Sequence, residues 1–470
     1  MNRPFRVSSR TAASVLLVAA LACAALLPSS ADAAETATPV LDNWPAWRGP
    51  LANGIAPRAD PPTTWSETQH VRWKVEIPGR GSATPVVWND TVYVLTAIPA
   101  DEVSTNAAKI SGSESAVAPA TNSAAARDSN ARSMVEKPSA VHRFVVLALD
   151  RATGRTRWEV TAKSELPHES HHKDHGYASA SPSTDGEVLI VPFGSRGLFA
   201  YDSSGRQLWA RDFGDMRTRN GFGEGSSPTL DGDRVFVLWD HEGDDFIAAL
   251  DKRTGKEIWK QTREEPTGWT TPVVVEHAGR KQVVVNGTRR VRSYDFATGE
   301  LLWQAGGQTT NAIPSVVAGH GLVYATSGLR GAALYAIRLG RSGELTGTDA
   351  VAWSRNKSTP YVPSPLLYGD LLYYYAGNNA MLSIVDARSG QVHVDAERLE
   401  GLFGFYASPV AAADRLYLVA RDGGAWVLRH GPKLEVLARN KLDDGFDASP
   451  ALAGRELFLR GRRSLYCLAE

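Results

Sequence analysis

The sequence predicts an all-β fold, an eight-bladed β-propeller built from four-stranded antiparallel blades. Three observations predict it: a motif ending in Gly and Trp recurs along the chain, a proline preceded by small residues recurs with it, and the segments between them alternate like strands. A four-stranded unit with a period of about 40–45 residues has the size of one blade. The 42 Gly and 26 Pro, against 4 Met, are typical of many tight turns.

Residues 1–33 are predicted to be a signal peptide. Basic residues precede the apolar run 11–27, and Ala31-Asp32-Ala33 provides small residues for cleavage. We therefore expect an exported protein, periplasmic or extracellular. An integral membrane protein is not expected, because the run falls short of the ~20 strongly apolar residues of a span. The alternative is a lipid-anchored form in which Cys23 becomes the acylated N-terminus, although the residues before it lack the usual leucine.

Residues 34–62 are predicted to be a lead-in segment and residues 63–470 to be the propeller. The 51 basic residues balance the 51 acidic residues, so the chain lacks the positive field that attracts a nucleic acid, and no such partner is expected. With only two Cys, the chain can build neither a disulfide framework nor a thiolate zinc site by itself.

The strongest repeat reads Asp-x-x-Thr-Gly-x-x-x-Trp, and its clearest copies end at Trp158, Trp209, Trp259 and Trp303. Thr-Gly is expected to form the hairpin before the last strand of a blade, and the Trp to dock against the neighbouring blade. A role as ligand platforms is the alternative, but a residue that recurs in successive blades fits packing better. The predicted docking residues are Trp73, Trp158, Trp209, Trp259, Trp303 and Trp353. Blades six and seven lack this Trp and are predicted to form the weakest joints.

A second mark, a small residue or two before Pro, is expected to open the first strand of each blade. The marks are Pro85, Pro182, Pro228, Pro272, Pro314, Pro365, Pro409 and Pro450. Only the first interval is long, and its excess lies at about residues 100–140, which are rich in Ala, Ser and Asn and contain no aromatic residue. We predict a disordered insert in blade 1, since such a segment buries too little apolar surface to order itself.

The two ends of the chain are predicted to close the ring. Residues 465–470 match a third strand without its fourth, whereas Arg72-Trp73-Lys74, ahead of the first Pro mark, matches a fourth strand without its first three. Pairing these segments completes the last blade and removes exposed sheet edges.

The Asp-x-x-Thr-Gly-x-x-x-Trp unit resembles the tryptophan-docking motif of the pyrroloquinoline-quinone-like propeller repeats, from about Trp73 to the C-terminus. The run from Trp44 to Pro50, followed by Asn53-Gly54, looks like the lead-in segment of exported bacterial members of this group. The resemblance implies the eight-bladed fold but little about function, because the repeat packs blades and binds nothing by itself.

Three functional classes follow from the resemblance. The first is a dehydrogenase that oxidises alcohols or sugars with the quinone and calcium; it implies a pair of adjacent half-cystines, whereas no two Cys are adjacent here. The second is a non-catalytic scaffold similar to the propeller subunit that assists outer-membrane protein assembly. The third is a repeat domain related to those attached to some bacterial receptor kinases, although the chain contains none of the kinase motifs.

The loop entering the second blade holds the densest group of ionisable residues. Four of them are predicted as metal ligands: His168, His171, His172 and His175. Imidazoles beside carboxylates suit a divalent transition metal. Their spacing matches no regular helical ligand motif, and the alternative is a solvated polar loop.

Loops before the Pro marks are expected to surround the mouth of the central channel. The candidate ligand-binding residues there are His175, Tyr177, Arg219, Asn220, Trp269, Tyr361 and Tyr406. A ring of polar and aromatic groups can hold a small ligand. The alternative is that these residues only line solvent.

The sequence favours an exported, non-catalytic scaffold that binds a protein or a ligand in the cell envelope. Its expected partners are envelope proteins or a small ligand at the channel, and neither a cofactor nor a catalytic residue is assigned. The alternative is an alcohol or sugar dehydrogenase of reduced type that uses pyrroloquinoline quinone and calcium.

Overall fold

The computed structural model describes residues 39–100 and 135–470. They form eight blades of four antiparallel strands, so the predicted eight-bladed β-propeller is confirmed. The helices described are 3-10 turns at Pro39–Asp42, Gly194–Arg196 and Arg219–Gly221. None of the helices in these two ranges is long and apolar enough to cross a membrane. The predicted signal peptide and residues 101–134 of the predicted insert lie outside the described residues.

The strands are numbered in chain order. Those of the first half are β1 (Val71–Glu76), β2 (Val86–Trp88), β3 (Thr91–Pro99), β4 (Val135–Glu136), β5 (His142–Asp150), β6 (Thr156–Glu165), β7 (His171–His172), β8 (Ser183–Thr184), β9 (Leu189–Pro192), β10 (Leu198–Tyr201), β11 (Gln207–Arg211), β12 (Thr229–Asp231), β13 (Arg234–Trp239), β14 (Phe246–Asp251), β15 (Glu257–Thr262), β16 (Val273–His277), β17 (Arg280–Val285), β18 (Arg290–Asp295) and β19 (Leu301–Gly306). Those of the second half are β20 (Val317–Gly319), β21 (Leu322–Ser327), β22 (Ala333–Arg338), β23 (Gly343–Glu344), β24 (Val351–Arg355), β25 (Leu366–Tyr368), β26 (Leu371–Tyr375), β27 (Met381–Asp386), β28 (Val392–Arg398), β29 (Val410–Ala412), β30 (Arg415–Val419), β31 (Gly424–Arg429), β32 (Val436–Lys441), β33 (Ala451–Ala453), β34 (Glu456–Arg460) and β35 (Ser464–Leu468).

Each blade is one sheet, and the blades follow one another along the chain. In order, blades 1 to 8 consist of β2-β3-β5-β6, β8-β9-β10-β11, β12-β13-β14-β15, β16-β17-β18-β19, β20-β21-β22-β24, β25-β26-β27-β28, β29-β30-β31-β32 and β33-β34-β35-β1. Three short strands add to this pattern: β23 pairs parallel to β19, and β4, near the end of the predicted insert, pairs with β7 in the loop that enters blade 2.

The first strand of each blade lies towards the ring axis. First strands of neighbouring blades contact each other, among them β2 with β8, β8 with β12, and β33 with β2. A hydroxyl seam joins the blades here, because a backbone N–H at the start of one blade donates to a Ser or Thr hydroxyl of the next. Its members are Thr84, Ser181, Ser227, Thr271, Ser315, Ser364, Ser408 and Ser449, linked in that order by hydrogen bonds of 2.7 to 3.2 Å.

The seam explains the small residue that the sequence places beside each Pro mark. Seven of the eight seam residues directly precede the Pro, but in blade 5 Ser315 follows Pro314. Ser315 nevertheless keeps its place in the seam. Its hydroxyl accepts a hydrogen bond from the backbone N–H of Thr271, and its backbone N–H donates to the hydroxyl of Ser364. The hydroxyl, rather than the proline, is therefore the constant element of the inner ring.

The Asp-x-x-Thr-Gly motif builds the hairpin before the outer strand. In blade 3 the Asp251 carboxylate accepts hydrogen bonds from the backbone N–H and the hydroxyl of Thr254 (2.8 and 2.7 Å), which closes the turn. Gly255 follows with a φ of +67°, a conformation that other residues rarely adopt. The outer strand β15 then buries Trp259 while most of its other residues remain exposed.

Five of the predicted docking tryptophans lie on the glycine of the next blade's turn. For Trp209, a Cβ on Gly255 would come within 2.7 Å of the ring, and the indole Nε1 donates to the carbonyl of Lys252 at 2.8 Å. The other pairs are Trp73 with Gly154, Trp158 with Gly205, Trp259 with Gly299 and Trp353 with Gly390. The contact requires glycine, because any side chain there would occupy the space of the indole.

Trp303 departs from this arrangement. Its Nε1 donates to Gln282 of its own blade at 2.9 Å. Blade 5 lacks the compact Thr-Gly turn and inserts β23 instead, so that Gly343 pairs opposite Trp303. The joint between blades 4 and 5 is thus made by strand pairing rather than by a tryptophan on a glycine.

Closure of the ring by the two chain ends is confirmed. β1 pairs antiparallel with β35, with Trp73 opposite Cys467 and Lys74 opposite Tyr466. Burial raises the pKa of the Cys467 thiol to about 12, so this cysteine stays protonated and serves packing.

The lead-in segment runs from blade 1 across to blades 6 and 7. Trp44 exchanges backbone hydrogen bonds with Val87 of blade 1 (3.0 and 2.9 Å) and is fully buried. Arg48, only 4% exposed, donates to the carbonyls of Pro365 and Pro409 (2.8 and 3.0 Å) at the start of blades 6 and 7. One short segment therefore ties together blades that are far apart in sequence.

Residues 61–65, where the lead-in segment ends and the propeller begins, contact blade 7 before the chain enters blade 8 as β1. The Tyr417 hydroxyl donates to the carbonyl of Pro61 at 2.9 Å. Asn440 of the outer strand accepts from the backbone N–H of Trp65 (2.9 Å) and donates to the carbonyl of Thr63 (3.0 Å). Trp65 is buried in the core shared by blades 7, 8 and 1. Trp65, which is not part of the repeated motif, thus packs next to β32, the outer strand of blade 7, which lacks a docking Trp.

Candidate functional site

A cavity of about 840 Å³, here called the funnel, lies on the ring axis. Hydroxyl-seam residues of five blades line it, which places it at the centre: Ser181, Ser227, Thr271, Ser408 and Ser449. Six of the seven residues predicted at the channel mouth also line it: His175, Arg219, Asn220, Trp269, Tyr361 and Tyr406. Tyr177 lies outside the funnel, between two neighbouring cavities.

Trp47 of the lead-in segment also lines the funnel, which the sequence prediction missed. It lies between Trp44, anchored on blade 1, and Arg48, anchored on blades 6 and 7. The only sequence signal for it was its place in the lead-in segment. The funnel is therefore bounded on one side by a segment that belongs to no blade.

Loop geometry holds the polar groups of the funnel wall. Asn220 and Asn311 both have a φ of +57°, which turns each loop sharply before its first strand. Trp269 is fixed by its indole N–H, which donates to the carbonyl of Gly223 at 2.7 Å. The guanidinium of Arg219 has no hydrogen-bond or ion-pair partner among the described residues, and neither has the buried Oδ1 of Asn311. The Asn311 side chain also lies within hydrogen-bonding reach of Tyr361, whereas the Arg219 guanidinium is available to a ligand.

An ion-pair network forms one wall of the funnel. Arg421 bonds both Asp174 (3.0 Å) and Asp447 (2.6 Å), and Arg462 bonds Asp447 from the other side (3.0 Å). The Tyr406 hydroxyl donates to Asp174 at 3.1 Å, and the Arg421 guanidinium lies 3.9 Å from the Tyr406 ring centroid. Burial by itself would raise the pKa of Asp174, but the hydrogen bond and charge of Arg421 outweigh it and hold that pKa below its usual range.

The four histidines of the predicted metal site lie in one loop but have different partners. His168 has its Nε2 at 2.6 Å from the carbonyl of Met216. His171 has its Nδ1 at 2.8 Å from the carbonyl of His172, and the Nδ1 of His172 accepts from the backbone N–H of Asp174 (3.2 Å). His175 has its Nδ1 at 2.6 Å from the Ser179 hydroxyl.

In residues 39–100 and 135–470, no group of three or more His, Cys, Asp or Glu side chains is arranged to hold a metal ion. Burial lowers the pKa of His171 and His172, and it lowers that of His175 to about 3, with the neighbouring imidazoles adding to the effect. His175 is therefore neutral at pH 7 where it lines the funnel. Metal binding by this loop stays a prediction.

Pyrroloquinoline quinone with calcium fits the funnel poorly. Calcium takes about 6–8 oxygen ligands, usually with several carboxylates. The carboxylates that line the funnel are Asp174 and Asp447, and Arg421 is bonded to both, so a cation placed there would be repelled. The free thiol of the described residues, Cys467, is buried in β35 and pairs with no second cysteine.

Comparison with known proteins agrees with the fold. Residues 142–393 match the family model described as outer membrane protein assembly factor BamB. No curated protein matches the chain.

Solved structures with this architecture include proteins of different function. BamB from Moraxella catarrhalis is 16% identical with a TM-score of 0.50, over 71% of this chain and 95% of that chain. The quinohemoprotein alcohol dehydrogenase ADHIIG from Pseudomonas putida HK5 is 11% identical with a TM-score of 0.56, over 92% of this chain and 81% of that chain. At such low identity these likenesses show the propeller fold alone.

Proposed function

We propose a function for this chain from the premise that it belongs to the outer membrane protein assembly factor BamB family. The protein is an exported, non-catalytic binding protein of the cell envelope, and its funnel holds a small ligand. The observation that carries the proposal is the funnel itself, a cavity of about 840 Å³ with aromatic walls and a few placed polar groups. This combination of size and lining is typical of small-molecule sites.

The funnel wall favours a flat organic anion. Trp269, Tyr361 and Tyr406 offer aromatic surface on which a planar molecule can stack. Arg219 adds a positive charge without a partner, whereas Asp174 is already neutralised by Arg421. A negatively charged ligand would therefore meet a net positive wall, and its charge would be paired on binding.

His175 and the two carboxylates of the funnel support binding rather than turnover. A general acid or base needs a pKa near the working pH and a free position beside the substrate. His175 has a pKa of about 3 and its Nδ1 is bonded to Ser179, while Asp174 and Asp447 are held in ion pairs. These groups are committed to the structure of the wall.

A second candidate function is docking of an envelope protein at the rim of the funnel. Phe403 is 70% exposed and lies with Arg421, Arg462 and Tyr406 around a shallow depression of about 520 Å³. Exposed aromatic and Arg side chains are enriched in protein interfaces. The family description, an assembly factor, also favours a protein partner.

The two candidates are separated with the dye anilinonaphthalene sulfonate, a flat aromatic anion. We expect one saturable site per protein, lost in Trp269→Ala and retained in Phe403→Ala, measured by dye fluorescence. Loss in Phe403→Ala with retention in Trp269→Ala would place binding at the rim and reject the funnel as the ligand site.

The absence of catalysis is tested separately with pyrroloquinoline quinone and Ca²⁺. We expect no stoichiometric complex and no dye-linked oxidation of alcohols or sugars by the mature protein. Turnover that depends on the added quinone would overturn the non-catalytic proposal and support the dehydrogenase alternative.

A further inference from the structure

A second cavity, of about 560 Å³, lies beside the funnel between blades 8 and 1. We call it the arginine chamber, because five cationic side chains line it: Arg80, Lys173, Arg421, Arg460 and Arg462. Asp174 and Asp447 line both this chamber and the funnel, so the ion-pair network of Arg421 forms the wall between them.

Arg460 is the unusual member of this set. It ends β34, is 1% exposed, and none of its three guanidinium nitrogens has a hydrogen-bond partner. Burial lowers its pKa to about 10, against the charge of Asp444, so it remains a cation at neutral pH. A buried, charged group without partners is costly to the folded protein unless something pairs with it.

The alternation of β34 directs Arg460 towards blade 1. Side chains two residues apart in a strand lie on the same face, so Arg460 shares its face with Glu456 and Phe458. Glu456 accepts a hydrogen bond from Arg151 of blade 1 (2.7 Å), and Phe458 packs on Trp73 with ring centroids 5.9 Å apart. This face is turned towards blade 1, and Arg460, at the end of the strand, is its residue that also lines the chamber.

Most other charges in the chamber already have partners. Arg80 bonds Glu136 at 3.1 Å, and Asp447 is shared by Arg421 and Arg462 (2.6 and 3.0 Å). Arg460 and the exposed ammonium group of Lys173 are left without an ion pair among the described residues. The chamber therefore carries two positive charges that its own carboxylates do not balance.

We propose that the arginine chamber binds an oxyanion, the carboxylate or phosphate group of a small molecule, with Arg460 as its buried anchor and Lys173 at its open side. A guanidinium presents parallel N–H donors that match the two oxygens of either group. Binding removes the cost of the unpaired charge, so the free protein is strained relative to the complex. Lys173, Asp174 and Asp447 line both the chamber and the funnel, whereas Arg460 lines the chamber and is absent from the funnel wall.

Inorganic phosphate and succinate serve as the two probes, with chloride at matched ionic strength as the reference. We expect phosphate, succinate or both to raise the unfolding temperature of the wild-type protein with increasing concentration, as ligands of the native state do. The apparent affinity obtained from this shift should fall at least tenfold in Arg460→Met. It should fall by less in Arg460→Lys, which keeps the positive charge. A preference for one probe identifies which oxyanion source the chamber selects.

Two controls keep the result specific. Arg462→Met removes an exposed, ion-paired arginine of the same chamber and should leave most of the response intact. Dye binding in the funnel should be unchanged in Arg460→Met, so failure of this proposal is distinguishable from failure of the funnel proposal. The proposal is overturned if neither anion stabilises the wild-type protein. It is also overturned if Arg460→Met responds to the anions like the wild type. Should Arg460→Met fail to fold, Arg460→Lys takes its place in this comparison.

Discussion

Two parts of the ring join their blades by different means. From blade 8 through blades 1, 2 and 3 to blade 4, each outer strand places its Trp on a turn glycine of the next blade. Around blades 6, 7 and 8 this contact is replaced by side chains of the hairpins and by the lead-in segment. The first solution is repeated and local to the motif, whereas the second is assembled from segments far apart in the chain.

The joint between blades 6 and 7 shows how the second solution works. The Tyr373 hydroxyl lies 2.8 Å from Nδ1 of His430 and accepts from the backbone N–H of Gly431 (3.0 Å). The His430 ring also packs on Tyr368, with centroids 4.3 Å apart. An imidazole thus takes a position at this joint, and it brings a titratable group where the five tryptophan joints have an indole.

The comparison shows that blades without the docking Trp are still joined by other buried contacts. The prediction that blades six and seven form the weakest joints considered only the missing Trp. In the structure, Arg48 of the lead-in segment and Trp65, which follows that segment, contribute buried contacts to this part of the ring. Its stability then depends on one continuous segment, whereas each tryptophan joint stands by itself.

The largest expected effect comes from removing an anchor of the lead-in segment. Trp44→Ala deletes a fully buried indole and should lower the free energy of unfolding by about 3–5 kcal/mol, because the cavity cannot be refilled. Urea denaturation of the mature protein, followed by circular dichroism, measures it. The matched control is Trp158→Ala, which removes a partly exposed docking Trp and should cost less. If Trp158→Ala lowered the free energy of unfolding as much as Trp44→Ala or more, the lead-in segment would not contribute more to stability than a tryptophan joint.

A smaller effect is expected at a tryptophan joint itself. Gly255→Ala adds a Cβ within 2.7 Å of the Trp209 ring, whereas Gly232→Ala adds one to a turn with a similar φ (+61°) and no neighbour within 4 Å. Both variants bear the strain of a positive φ, about 1–2 kcal/mol. Gly255→Ala should lose about 1–3 kcal/mol more through overpacking. The same urea experiment tests this, and equal losses in the two variants would show that the indole does not depend on the glycine.

The smallest effect is a pH dependence confined to the joint between blades 6 and 7. Burial lowers the pKa of His430 below its ordinary value of about 6.5, with Asp414 acting in the opposite direction. The unfolded chain therefore binds the proton more readily than the folded one, so this contribution to stability is complete above about pH 6.5 and is lost as the pH falls towards the folded pKa. At the tryptophan joints the docking side chain is an indole, which does not titrate in this range.

Denaturation of the wild type and of His430→Gln at pH 8 and at pH 5 isolates that contribution. Because His171, His172 and His175 also have lowered pKa values, both proteins should lose stability in acid, and the wild type should lose more. Identical pH dependence in the two proteins would show that His430 does not couple the joint to pH.

The candidate site was only partly predictable from the sequence. Loops before the Pro marks converge at the axis once the blade number is known, and Trp269 and Tyr361 from two of these loops line the funnel. Tyr177 was predicted with them, but its ring lies edge-on to His171 in a neighbouring cavity (centroids 4.6 Å apart). A pattern can show which loop faces the axis, whereas the direction of each side chain depends on the loop's own contacts.

What the sequence by itself determined is the blade: its period, its Thr-Gly hairpin, the docking Trp, the number of blades and the pairing of Trp73 with the last strand. These features are encoded in short segments that repeat, so each copy reinforces the interpretation of the others. The tertiary structure alone decided the path of Trp47, the network of Asp174 and Arg421, and the unpaired Arg460. Each of these joins residues that lie far apart in the chain and occur once, and they meet only when the ring has closed.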